Sequence, residues 1–157
     1  MTTARTQGGF TLIELMVTVV VVGILTMIAV PSYRSYVTRA NRTVAKTALV
    51  DASSRLESYF IVHKSYTRTL SDIQLQQYLS RDGSTADAST NAIYQLSIEA
   101  MDSSSCAAKS GAVGTSYMVM AKPVGTQTSD STCMNLCLTS TGIRLSSVGT
   151  AATCWSR

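Results

Sequence analysis

The sequence is short of the groups from which most catalytic and metal sites are built. It holds one histidine, His63, and four cysteines, none before Cys106 and no two in the close C-x-x-C spacing of a redox or zinc motif. A lone imidazole with no acid placed beside it by any motif reads as a surface or capping residue. Nucleophile elbows and glycine-rich phosphate loops are missing as well, so an enzyme is not expected, nor a metal or cofactor. Charged residues make up only 14% of the chain and the formal net charge is +4. That surplus is too mild to argue by itself for a nucleic-acid partner. Proline occurs only at positions 31 and 123, which leaves long stretches free to be helical.

What the sequence does have is an apolar run from Phe10 to Val30, broken by a single charge at Glu14. As a helix it would rise about 31 Å, enough to cross the hydrocarbon core of a bilayer. A carboxylate inside such a segment costs roughly 2.5–3.5 kcal/mol if it reaches the bilayer centre. The residues "TMIAVPSY" at the end of the run make a poor secretory cleavage site, which favours an anchor over a conventional signal peptide. The flanks then disagree. Arg34, Arg39, Arg42 and Lys46 follow the run while Arg5 precedes it, so the positive-inside rule keeps the body in the cytoplasm. Four cysteines in the last third point instead to two disulfides and an oxidising compartment.

Beyond Pro31 the pattern turns amphipathic. Tyr33, Tyr36, Val37, Ala40, Val44, Ala48, Leu49, Ala52, Leu56, Tyr59 and Phe60 recur at helical spacing, and the helix is expected to continue to about His63. Gly23 and Pro31 are its weak points. "LSDIQLQQYL" reads as a short helical turn in a connecting region. Three runs with period-two alternation follow, at Ala92–Ala100, Ser116–Val124 and Cys133–Ser146, the last folded into a hairpin at Gly142. "SRDGS" around Asp82 and Gly83 has a fragment of a calcium loop without its spaced oxygens, and is more simply a solvated turn. Met118 and Met120 alternate along a strand, as packing residues do. The Arg34, Arg39, Arg42 and Lys46 group could face DNA or anionic lipid, but a solvated or subunit-facing helix surface is the simpler reading.

"GGFTLIELMVTVVVVGILTMIAVPSY", Gly8 to Tyr33, resembles the class III leader and amino-terminal helix of type IV pilins. The resemblance implies an α+β pilin fold: a long helix, transmembrane and then amphipathic, packed on a small antiparallel sheet. It divides the chain into a leader (1–9), a transmembrane or filament-core helix (10–30) and a head (31–157). It implies that a prepilin peptidase cuts between Gly9 and Phe10 on the cytoplasmic side and that the amino group of Phe10 is methylated. The body is then periplasmic, which removes the conflict over orientation. Glu14 becomes a register device, its carboxylate neutralising the amino terminus of a neighbouring subunit, since an uncompensated charge in a low-dielectric core is costly. Gly23 and Pro31 match positions between which pilin helices lose order on assembly.

"VPSYRSYVTRANRTVAKTALVDASSRLESYF", "AKPVGTQTSDSTCMNLCLTSTG" and the final "CWSR" resemble, more specifically, the PilE group of minor pilins. The implied function is a minor structural subunit supporting pilus assembly and, through the fibre, twitching motility, adhesion or DNA uptake. Implied partners are the peptidase, the major pilin, other minor pilins, the assembly platform and the inner membrane before assembly. A type II secretion pseudopilin shares the same helix and is the alternative; a membrane-anchored periplasmic enzyme is a distant one. Four cysteines allow three pairings. If Cys133 and Cys137 share a strand, they stand about 13 Å apart, beyond the roughly 7 Å Cα separation a disulfide spans, which leaves two layouts. The resemblance of Asp130, Cys133, Cys154 and Trp155 to the group's pattern implies Cys133 with Cys154, and so Cys106 with Cys137.

Overall fold

The computed structural model describes residues 9–156. Arg5 and all of the expected leader except Gly9 lie outside the described residues. The chain divides into two compact units, residues 1–37 and 38–157. One helix, α1 (Leu12–His63), belongs to both and runs through Gly23 and Pro31 without a break in assignment. In the first unit no described residue packs on it, and Phe10, Leu12, Ile13 and the apolar residues that follow are exposed. Tyr33 and Tyr36 are exposed here too, because the amphipathic stripe finds a partner surface only in the second unit.

In that unit α1 buries Asn41, Ala45, Leu49, Ala52 and Leu56, spaced four, four, three and four apart, the interval that keeps one helical face inward. Full burial of Leu49 and Leu56 stabilises the fold by roughly 1.5–3 kcal/mol each. The opposing layer is one antiparallel sheet in the order β2-β1-β3-β4-β5-β6. Its strands are β1 (Tyr78–Ser80), β2 (Thr85–Ala86), β3 (Ala92–Glu99), β4 (Met118–Pro123), β5 (Leu136–Thr139) and β6 (Arg144–Ser146). A short helix, α2 (Ala151–Trp155), follows. Leu96, Ile98, Val119, Ala121, Leu136 and Leu138 alternate inward to join the α1 stripe in the main core. Met118, Met120 and Cys137 point the other way and form a second small cluster with Cys106 and Leu145.

The architecture is the α+β pilin fold, with three local departures from the sequence reading. The turn in "LSDIQLQQYL" covers only Leu70–Ile73 and is stopped by Gln74 in the left-handed region (φ 57°); the remainder enters β1. Strands β1 and β2 have no signature in the sequence, since two or three residues carry no readable period. Finally, Cys133 is not in a strand. The Asp130 carboxylate accepts the N–H of Thr132 and Cys133, the Met134 N–H bonds to Asp130 O, and Met134 sits at φ 52°, so β5 starts only at Leu136.

Candidate functional site: assembly helix and head surface

At the start of α1, Thr11 acts as N-cap, its hydroxyl accepting the Glu14 N–H at 3.3 Å. The Thr18 hydroxyl donates to Glu14 O and Leu15 O, so the local polar groups of this turn are satisfied by the backbone. The Glu14 carboxylate makes no hydrogen bond or ion pair with any described residue. T-x-x-E is also capping-box spacing, a purely local reason for the same residue. Gly9 and Phe10 precede the helix outside any regular element, and a Cβ on Gly9 would meet nothing within 4 Å.

In the head the basic group read from the sequence does not form one free patch. Arg42 is drawn inward, donating from Nε and Nη2 to Asp130 at 2.7 and 2.6 Å, with side-chain exposures of 11% and 1%. Burial pushes the Asp130 carboxyl up, but the Arg42 hydrogen bonds, its charge and the two backbone N–H groups outweigh that and hold it below the usual carboxylate range. Beside it Asn41 donates to Gln127 Oε1 at 2.8 Å and Gln127 donates to the Tyr94 hydroxyl at 3.0 Å. Burial raises the Tyr94 phenol to about 12. Asn41 Oδ1 is left without a partner. Sequence reading missed this network. Its one local signal is Asp130 three residues before Cys133, a spacing that lets a carboxylate cap a turn.

Lys46 donates to Ser156 O at 2.8 Å. Burial, then the nearby positive charges of Arg42 and Arg144, lowers its pKa. Arg55, Arg68 and Lys109 are paired with Asp51, Glu99 and Asp102. Arg81, Lys122 and Arg144 form no ion pair with a described residue and are exposed. Arg81, in the β1–β2 turn, lines a cleft of about 660 Å³ of mixed polarity with Asp82, Ser89, Asn91, Ile93 and Thr126. Gly125 at its rim has φ 55°, and a Cβ there would come within 3.1 Å of Ala92 O, so the close approach of backbones that shapes the cleft requires glycine. Lys122 stands opposite Gln95 near the end of β4, and the Arg144 guanidinium lies 5.7 Å from the centre of the Trp155 ring.

The disulfides join Cys106 to Cys137 and Cys133 to Cys154, with Cα separations of 5.6 and 5.7 Å. The first pins the loop after β3 across the outer sheet face. The second holds α2, which is also capped by Thr150 and fastened by Trp155 Nε1 to Leu145 O at 3.0 Å. His63 stacks on Tyr59 at 3.9 Å and bonds its backbone carbonyl. Asp82 accepts from Ser84 N and Oγ, a closed turn. Among the described residues no group of three or more His, Cys, Asp or Glu is placed to hold a metal ion.

Comparison with known proteins finds two family matches. Residues 31–139 match the family described as type IV minor pilin ComP, DNA uptake sequence receptor, and residues 4–30 match the prokaryotic N-terminal methylation motif. Among individual proteins, the type IV major pilin protein PilE1 of Neisseria gonorrhoeae is 40% identical over 57 residues, 36% of this chain and 34% of the pilin. The type IV major fimbrial protein FimA of Dichelobacter nodosus is 39% identical over 64 residues, 34% of this chain and 40% of FimA. The type II secretion system core protein G of Pseudomonas aeruginosa is 42% identical over 65 residues, 41% of this chain and 46% of that protein. These similarities span between a third and a half of the relatives' lengths.

Proposed function

Because the chain belongs to the type IV minor pilin ComP family, we propose that it is a minor pilus subunit whose head takes part in DNA uptake. The match of that family across residues 31–139, most of the head, carries the reading. The chain is held in the inner membrane by the exposed apolar part of α1. It is cut between Gly9 and Phe10 by a prepilin peptidase, methylated on Phe10 and moved by the assembly platform into a fibre with the major pilin and other minor pilins. Glu14 sets the stagger there, supported by its unpartnered carboxylate. Its role is structural, and adhesion and twitching motility follow through the fibre. Arg81, Lys122 and Arg144, exposed and without an ion pair among the described residues, are cations open to phosphate, whereas Arg42, Lys46 and Arg55 on α1 are paired or bonded to backbone.

Deleting the gene and measuring uptake of labelled DNA tests this reading. Loss of uptake with pili still assembled is expected, as is reduced uptake when Arg81 and Lys122 are both changed to glutamine. The pseudopilin reading has the similarity to secretion core protein G in its favour, but that likeness covers 41% of this chain, whereas the minor-pilin match covers most of the head. Loss of protein secretion with uptake intact would reverse the ranking.

A further inference from the structure

Two tight turns border the cleft that Arg81 lines. The first, in which the Gly83 N–H bonds to Ser80 O at 3.1 Å and the Ser80 N–H to Ser84 O at 2.9 Å, carries Arg81. The second is closed by the Ala92 N–H on Ser89 O at 3.1 Å and carries Asn91. Asn91 is held at φ 61°, a left-handed conformation that asparagine tolerates better than most residues. It is exposed, and its side-chain amide makes no hydrogen bond with any described residue. A fixed backbone thus presents an amide donor and acceptor beside an unpaired guanidinium. Lys122 on β4 stands opposite Gln95, four residues along β3 from Asn91, or about 13 Å of strand rise. Charge is balanced here. Asp82, which accepts from Ser84, and Asp87, which accepts from Gln76 at 3.2 Å, offset the two cations.

We infer that Asn91 reads base identity in duplex DNA, its amide pairing with N6 and N7 of an adenine in the major groove while Arg81 and Lys122 hold backbone phosphates. A primary amide matches that edge because it sets one donor and one acceptor side by side, as adenine sets one acceptor and one donor. The balanced charge is the reason to assign discrimination to a base contact. Two phosphate contacts give a shallow salt dependence, with a slope of about −1.8 in log K against log salt, and little affinity for DNA at large. Preference between sequences then falls to the groups that touch base edges. A turn at the end of a sheet can enter a groove about 12 Å wide, and the closed turn around Asn91 needs no reordering on contact. The inference rests on the DNA-uptake reading and goes further by naming the side chain that tells one sequence from another and the base it selects.

Full-length protein in zwitterionic detergent micelles tests it with fluorescein-labelled duplexes randomised at about ten central pairs, the bound pool being sequenced and affinities read by anisotropy. The parent should select an adenine at one position and prefer it by about tenfold. Asn91→Gly keeps the left-handed backbone. It should cut that preference to within about twofold while leaving the affinity for unselected duplex and the salt slope unchanged. Placing 7-deazaadenine at the selected position, which replaces N7 by C–H, should weaken the parent by a similar factor and the Asn91→Gly protein not at all. Arg81→Gln should instead weaken every sequence alike and reduce the salt slope by about 0.9. Far-UV circular dichroism of each variant checks that the fold persists. No selected adenine, a preference that survives in Asn91→Gly, or equal 7-deazaadenine losses in parent and variant would each overturn the assignment. A parent that binds no duplex at all would overturn it together with the DNA-uptake reading, whereas binding without adenine dependence overturns the assignment alone.

Discussion

Replacing Arg42 with methionine would leave the Asp130 carboxylate, 1% exposed, without its cation. The methylene stem of the side chain is largely kept, so the loss is electrostatic before it is steric. Breaking a buried pair by removing one partner typically costs about 3–5 kcal/mol, because the remaining charge stays desolvated. For a chain of this size that is a fall in Tm of roughly 10 °C. The sign of the pH dependence follows from the present state of Asp130. Its folded pKa is depressed, so in the parent it contributes stability that is present above the unfolded carboxylate range and lost as pH falls through the folded value. Without Arg42 only burial and the N–H groups act, and the carboxyl rises towards or above its ordinary value. Protonation then relieves the buried charge, so the gap between variant and parent should narrow on going from pH 7 to pH 4. Thermal unfolding of full-length protein, followed by circular dichroism at both pH values, measures the gap. Asp130→Asn in the Arg42→Met background should recover part of the loss at pH 7. A Tm within about 2 °C of the parent at pH 7, or a gap that widens on acidification, would refute this account of the pair.

Glu14→Ala should leave membrane insertion intact or improved, since a costly carboxylate is removed, while incorporation into sheared pili falls; normal incorporation would remove Glu14 as a register device. Gly9→Val should block leader cleavage without altering the head, because a Cβ there meets nothing, and intact mass should then show a chain still starting at Met1 instead of a methylated Phe10. Gly149→Ala should destabilise the head by on the order of 2 kcal/mol: at φ 71° its Cβ would lie 2.6 Å from Thr132 O and 3.1 Å from Cys154 Sγ, and urea midpoints measure the loss. Changing Cys133 and Cys154 together to serine should cost roughly 3 kcal/mol by the chain-entropy estimate, with protease nicking near α2 as a second readout.

Local pattern determined much of this protein. An uninterrupted apolar run with one acid, then a stripe at helical spacing, is enough to specify α1 and its end near His63, because helix bonds close within four residues and the period repeats many times. Alternation over six to eight residues likewise announced β3 and β4. The candidate leader junction and Glu14 are equally legible, being defined by spacing along the chain. Tertiary structure alone decided the rest. Strands β1 and β2 exist because β3 offers them an edge, since their few residues hold no period of their own. Asn41 lies in the buried stripe because Gln127, 86 residues away, supplies its hydrogen bond, and Arg42 turns inward because Asp130, 88 residues away, is waiting there. The face on which each disulfide lies follows from how the sheet docks on the helix. Those are long-range pairings of charge and shape, and no window of sequence contains both partners.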